Sequence, residues 1–283
     1  MSHQAGMRHL LALVYGAGPV KKRKPAKTKA ARTPKPPTRA ELAYVAALRK
    51  MTKQLGAAVR ETIGPVVARA AAPDVRTDAA GDTVVGAALD QLRERMAEIV
   101  ESAISAGIIE AAFDTVNSHN LGEMSRVLGI APEALSPELA TAMAGFRSEN
   151  VALIRSIAED YLSEIERYVT TATTEGIRAE ELSRALVERF GVAQSRAELI
   201  AVDQILKANS QLAQERMTRV GIVEYEWSTS GDSRVREGHK ALDGSIQRWD
   251  SPPIVDPKTG RRAHAGQDFR CRCVSLPILS DDD

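Results

Sequence analysis

YEWSTSGDSRVREGHKALDGSIQRWDSPPI (residues 225–254), then a basic, turn-rich insert and GQDFRCRC (residues 266–273), decides how this chain is read. Both tryptophans, both cysteines and two of the five histidines lie between Tyr225 and Cys273. Just upstream, Ile222-Val-Glu-Tyr-Glu-Trp227 alternates at period two, the spacing of a half-buried strand. Ser245–Trp249 and Cys273–Leu279 are two further short strand candidates, and Asp243-Gly244 supplies a tight turn into the first of them. His239 falls on a short predicted helix. Residues 222–283 therefore read as a small α+β module ending in an acidic tail.

Upstream the pattern is helical. Thr38-Arg-Ala-Glu41 is a capping box that starts a helix with Leu48, Leu55, Val59 and Ile63 on one face. Gly64-Pro65 is expected to interrupt it and Ala72-Pro73-Asp74 to end the segment. One long helix is expected from Asp82 to about His119, and a connection with one short helix over residues 120–136. Ser136-Pro137 opens the next helix, in which Val151, Ile154, Ala158, Tyr161, Ile165 and Tyr168 form a buried seam. A shorter helix runs from Ala179 to Phe190. Ser195-Arg-Ala-Glu198, a second capping box, starts another that carries Ala201, Ile205, Ala208 and Leu212 inward and closes at Gly221. The expected fold is mainly α, an elongated helical bundle body (residues 40–135 and 136–221) with the small C-terminal α+β module.

At 283 residues the chain can form one large or two modest domains. Aromatic residues make up only 4%, so the core should consist of closely packed small side chains. The formal net charge of +1 hides an asymmetry. Lys21, Lys22, Arg23, Lys24, Lys27, Lys29, Arg32, Lys35 and Arg39 sit in a stretch with no acid. Removing those nine and Arg8 from the overall +1 leaves −9 on residues 40–283. This Lys/Pro-rich arm lacks the apolar surface to offset its ordering entropy, so it is expected to be disordered or extended. It could contact phosphates or an acidic partner surface, or act as a solvated linker. The apolar run over residues 9–20 is too short to cross a bilayer, and its charge follows the run, unlike a signal peptide. Two cysteines one residue apart exclude a disulfide framework and fit a reducing compartment. The chain reads as soluble and intracellular when made, with no membrane partner.

His239, Cys271 and Cys273, with His264 as a further candidate, are the metal-like set, suited to tetrahedral zinc. The usual spacing of two to four residues between cysteines is absent. The competing reading is a module pinned by Trp227 and Trp249 with its cysteines buried as small apolar groups, and no cofactor. Asp232, His239 and Asp243 could be combined into a hydrolase or nuclease site. No Gly-x-Ser-x-Gly, P-loop, His-Glu-x-x-His or dinucleotide motif accompanies them, so no catalytic residue is assigned. Asp232, in Ser-Gly-Asp-Ser, suits an Asx turn. Arg234, Arg236, Arg248, Arg270 and Arg272 are expected to clamp Asp232, Asp243, Asp250 and Asp268 and so fix loops with little apolar core.

Taken in order, the fragments of the second half resemble a known family. They are a helix with Asn150-x-x-Leu153-Ile154, the run Arg196-Ala197-Glu-Leu-Ile200, and Gly-Ile-x-x-Tyr-x-Trp227-Ser-Thr-Ser-x-Asp232. Arg234-x-Arg236-x-x-His239-x-x-Leu242-Asp243-Gly244, Trp249-Asp-x-Pro252-Pro253 and Cys271-Arg272-Cys273 follow. From Phe146 to Leu279 the chain is similar to the minor head, or head morphogenesis, proteins of tailed bacteriophages typified by the F protein of phage Mu. That resemblance implies a low-copy, non-enzymatic virion component at the portal vertex. It implies the portal protein as partner, with the major capsid or scaffold protein as further candidates; the arm lies outside the resemblance, and its charge alone suggests contact with packaged double-stranded DNA or an acidic protein surface. It also implies assembly in the host cytoplasm and a role in DNA packaging or delivery. Relatives carry Cys where this chain has Arg236 and His239, and a zinc site is implied for them. The rival readings are a metal-dependent hydrolase and an internal DNA-condensing protein.

Overall fold

The computed structural model describes residues 33–70, 79–129, 136–175 and 179–278. The N-terminal apolar run, the basic residues from Lys21 to Arg32, the Ala72-Pro73-Asp74 stop and the acidic tail lie outside these residues. Five long helices occupy most of the rest: α1 (Thr38–Ala70), α2 (Ala79–Ser105), α3 (Ile108–Leu128), α4 (Pro137–Glu175) and α5 (Ala179–Arg219). Then come β1 (Glu224–Ser228), the short α6 (Glu237–Leu242), β2 (Ile246–Arg248), β3 (Ile254–Asp256), β4 (Arg261–Arg262) and β5 (Val274–Pro277). The mainly α class with a small C-terminal α+β module is what the sequence patterns predicted.

Several boundaries differ, each for a physical reason. α1 runs unbroken through Gly64-Pro65. Leu48, Leu55, Val59 and Ile63 are all at most 3% exposed, and α1 packs along α2. That burial outweighs the single hydrogen bond the proline forfeits. The helix expected from Asp82 to His119 is two helices, because Gly107 adopts a left-handed φ of 77° that ends α2. α3 then continues to Leu128, through most of the expected connection. Conversely, the two helices expected on either side of Gly191 are one, α5. Ala193, Ala197, Ala201 and Ile205 form an unbroken buried stripe across Ser195, and Glu198 reaches Arg49 at 2.7 Å rather than folding back as a cap. A glycine inside a helix costs only about 1 kcal/mol, less than such a stripe returns. At Ser136 the expected cap forms, its Oγ accepting the Leu139 N–H at 3.1 Å.

The chain divides into two compact units. One comprises residues 38–115 and 143–205 and, where described, is helical apart from the turn at Ala106-Gly107. Within it Tyr44 donates its hydroxyl proton to Asn150 Oδ1 at 2.9 Å. Asn150 Nδ2 in turn donates to Gln204 Oε1 at 2.9 Å, which ties α1, α4 and α5 together through a buried polar chain.

The other unit comprises the N-terminal residues up to Pro37, residues 116–142 and residues 206–283. Its sheet has the order β2-β1-β5, antiparallel throughout, with Tyr225 opposite Gln247 and Trp227 opposite Ser275. β3 and β4 form a separate antiparallel pair inside the insert, too short to show a period in the sequence. Met124 of α3 and Ala213 and Met217 of α5 pack with Tyr225, Trp227, Trp249, Val255, Ala265, Cys271 and Cys273 into one core. Next to it the buried Arg216 guanidinium donates to Asn120 Oδ1 and Asn117 Oδ1, both at 2.5 Å, and burial lowers its pKa to about 10. Residues 33–37 are non-helical but fastened to α3. Lys35 N–H donates to Glu123 Oε2 at 2.8 Å, and Arg126 Nη2 donates to the Thr33 carbonyl at 3.0 Å. His119 Nε2 lies 2.9 Å from the Lys35 carbonyl oxygen. The Lys35 side chain is exposed, and Arg39 is exposed in the first turn of α1.

Candidate metal centre

In the run from Cys271 to Pro277 every second residue is buried: Cys271, Cys273, Ser275 and Pro277. The one-residue spacer therefore sends both thiols to the same face of an extended segment, since successive side chains alternate. The wide spacing of zinc knuckles is the need of a turn; an extended chain needs one intervening residue. Facing the thiols is α6, which carries His239. His239 Nδ1 lies 3.4 Å from Cys271 Sγ and 3.5 Å from Cys273 Sγ. The three donor atoms all fall within 4.8 Å of one another, and the residues are 2%, 3% and 6% exposed. His264 is elsewhere, its Nδ1 3.0 Å from the Tyr225 hydroxyl and its ring edge-on to Trp249.

The opposite ring nitrogen, His239 Nε2, is 3.0 Å from Oδ2 of Asp268, whose side chain is 1% exposed. Arg261 Nε approaches the other carboxylate oxygen at 2.9 Å, and Arg236 Nη1 donates to Oδ2 at 3.2 Å. Burial alone would raise the Asp268 pKa, but the Phe269 N–H, His239 and Arg261 hold it below the ordinary carboxylate value. With Asp268 ionised, Nε2 carries the proton and Nδ1 presents its lone pair to the thiols. Burial would likewise lower the His239 pKa, yet Cys271 and Asp268 together raise it. The hydrogen bond from Cys273 is the main influence lowering Cys271, to about 5, and the same bond pushes Cys273 up.

Each sulfur also meets a donor. Gly266 N–H donates to Cys271 Sγ at 3.4 Å. The buried Trp227 indole N–H has no hydrogen-bond acceptor, and its interaction with Cys273 favours the thiolate. Trp227 also stands edge-on to His239, ring centroids 5.5 Å apart. Gly266 has φ 85°, and an added Cβ would lie 2.8 Å from Ser210 Cβ, so only glycine brings this amide to the sulfur. One imidazole nitrogen and two sulfurs suit a thiophilic divalent cation such as zinc.

The remaining predicted residues frame this centre. Asp232 accepts the Arg234 N–H at 3.0 Å in the expected Asx turn, and Arg272 Nη2 donates to both its carboxylate oxygens at 2.8 and 2.6 Å. Arg272 and Arg234 hold the Asp232 pKa below its ordinary value. Arg248 grips Asp250 with two donors, at 3.0 and 2.7 Å. Asp243 is held differently from the expected arginine clamp, accepting the Thr229 N–H at 2.8 Å at the end of α6. Gly244, with φ 69°, donates its N–H to the Trp227 carbonyl at 2.7 Å. Trp249 stacks at a tilt on Tyr225, and the Pro252 and Pro253 carbonyls accept Arg262 Nη1 and the Ala263 N–H. The trio Asp232, His239 and Asp243 is thus replaced by His239 with Asp268. Asp268 binds arginines as expected; its contact with His239, and the role of Gly266, were missed. The available signal was an acid three residues before the cysteine pair, in an insert otherwise rich in arginine.

No helix among the described residues is long and apolar enough to cross a membrane. Residues 163–276 match the family described as phage Mu protein F-like. An uncharacterized protein of Haemophilus influenzae is 35% identical over 148 residues, which cover 52% of this chain and 32% of that protein. The chain thus matches about a third of the length of that curated relative. No solved structure matches. From the latter part of α4 through β5, metal-ligand candidates included, the chain is thus similar to the phage Mu protein F-like family.

Proposed function

We propose that this protein is a minor head protein of a tailed phage, acting at the portal vertex in head morphogenesis and in packaging or delivery of the genome. The observation that carries the reading is the family match over residues 163–276, which supports a phage head protein. In this role the chain is a structural, non-enzymatic component that joins the virion after assembly in the host cytoplasm. The portal is its primary partner, with capsid or scaffold protein alongside. The basic residues from Lys21 to Arg39 contact packaged DNA, and nine such charges make that contact strongly salt-dependent. The burial of His239, Cys271 and Cys273 favours a structural over a hydrolytic role, because a reacting group must reach substrate.

Quantitative mass spectrometry of purified particles, scaled to portal and major capsid protein, tests this. A few to about a dozen copies per particle is expected of a protein on a closed ring. Absence from particles overturns the proposal, and hundreds of copies would favour an internal DNA-condensing protein.

A further inference from the structure

We infer that His239, Cys271 and Cys273 bind one thiophilic divalent cation, and that Asp268, Gly266 and Trp227 form an outer shell already assembled to receive it. Zinc relatives are implied by the family resemblance; the outer shell is read from this chain. Three ligands converge within 4.8 Å from two elements 32 and 34 residues apart in sequence, α6 and the run into β5. Each ligand has its own positioning group. Asp268 Oδ2, 3.0 Å from Nε2, fixes the tautomer that leaves Nδ1 free to coordinate. The Gly266 N–H, 3.4 Å from Cys271 Sγ, and the indole N–H of Trp227 beside Cys273 are donors that suit thiolates better than thiols.

The Trp227 donor is the most telling. A buried N–H without an acceptor is costly, and charge on the Cys273 sulfur would satisfy it. Arg236 and Arg261 hold the Asp268 carboxylate in place, so the shell does not depend on the ion for its geometry. Binding releases to solvent any proton the cysteine pair still holds and leaves every oxidation state unchanged. The ion ties α6 to the segment entering β5, a crosslink in a module whose sheet strands number five, three and four residues. Asp268 is a positioning residue here, acting on the ion only through His239.

The test uses the full-length chain, reduced and stripped of metal, titrated with Co²⁺ alone. The expected result is a thiolate-to-cobalt charge-transfer band saturating at one ion per chain and bleached by Zn²⁺. Cys271→Ser and Cys273→Ser each lose that band or most of its intensity. Asp268→Asn keeps the band but weakens Co²⁺ affinity about 10- to 100-fold. His239→Cys, a conservative ligand exchange, retains binding. If a serine variant fails to fold, thiol alkylation of the wild-type chain decides instead: Zn²⁺ should protect both cysteines and a chelator should expose them. A folded, reduced chain that gives no charge-transfer band overturns the site, and unchanged affinity in Asp268→Asn overturns the role of the carboxylate. Neither outcome depends on whether the protein is found in particles.

Discussion

Replacing Gly238 with alanine should destabilise the C-terminal module by roughly 3 kcal/mol, although it puts the best helix former into a helix. A Cβ at this position would sit 2.1 Å from the Val255 carbonyl oxygen and 3.0 Å from its carbon, both backbone atoms of β3. A carbon and an oxygen tolerate about 3.3 Å, so α6 would have to retreat by about 1.2 Å. Alanine returns about 1 kcal/mol of helix propensity. Overpacking against backbone costs about 1–3 kcal/mol. The retreat would also carry His239 away from Asp268, now 3.0 Å apart, forfeiting a charge-assisted bond of about 1.5–3 kcal/mol. Urea unfolding followed by tryptophan fluorescence is the assay, because both tryptophans of the chain, Trp227 and Trp249, lie in this module. Gly122→Ala is the control: it lies inside α3 with nothing within 4 Å of the added Cβ, and should gain up to about 1 kcal/mol. If Gly238→Ala were as stable as Gly122→Ala, the close approach of α6 to β3 would be wrong.

Asn120→Ala should cost roughly 3 kcal/mol, since it removes one acceptor from the buried Arg216 guanidinium and two hydrogen bonds donated to Asn209; chemical denaturation measures it. Asn150→Ala should cost about 2 kcal/mol in the helical unit by leaving the Tyr44 hydroxyl and Gln204 with unmade buried bonds, read as a lower melting temperature. Glu123 is raised by burial but lowered more by Arg126 and the Lys35 N–H, so its folded pKa lies below the ordinary value. The unfolded chain then binds that proton more readily. The Glu123 contribution is complete above about pH 4.3 and is lost as pH falls through the lower folded value. Glu123→Gln should mimic that loss at neutral pH, with faster hydrogen exchange at the Lys35 amide; unchanged exchange would show that the carboxylate does not hold the segment.

Features written in local periodicity were legible. The period-two run before Trp227 gave β1, and the seams of α1, α4 and α5 gave the buried faces. What tertiary packing decides was less so. Gly191 and the Ser195 capping box read as a boundary because capping is local, whereas the stripe Ala193-Ala197-Ala201 that overrides it is buried by neighbours far away in sequence. The Gly107 break was missed for the inverse reason: one left-handed residue leaves the apolar pattern on both sides intact. At the centre the ligand types were plain, but the Cys-x-Cys spacing was judged against turn-based knuckles. Asp268 was read as an arginine partner only, since His239 is 29 residues away in sequence.

Fastening residues 33–37 to α3 has a consequence for everything upstream. Thr33 becomes a fixed point from which the covalent reach of the upstream chain is measured. A chain of 32 residues spans at most about 110 Å when fully stretched, so covalent geometry alone places every residue from Met1 to Arg32 within that distance of Thr33. Seven of the arm's cations, Lys21 to Arg32, lie within twelve residues of Thr33 in sequence, so none can be more than about 40 Å from it. Any polyanion bound there meets the C-terminal unit at a raised effective concentration, set by chain length rather than by bulk supply. Cutting the Glu123 and Arg126 fastenings would move that fixed point toward α1 without altering one charge of the arm itself, and that separates the arm's reach from its electrostatics.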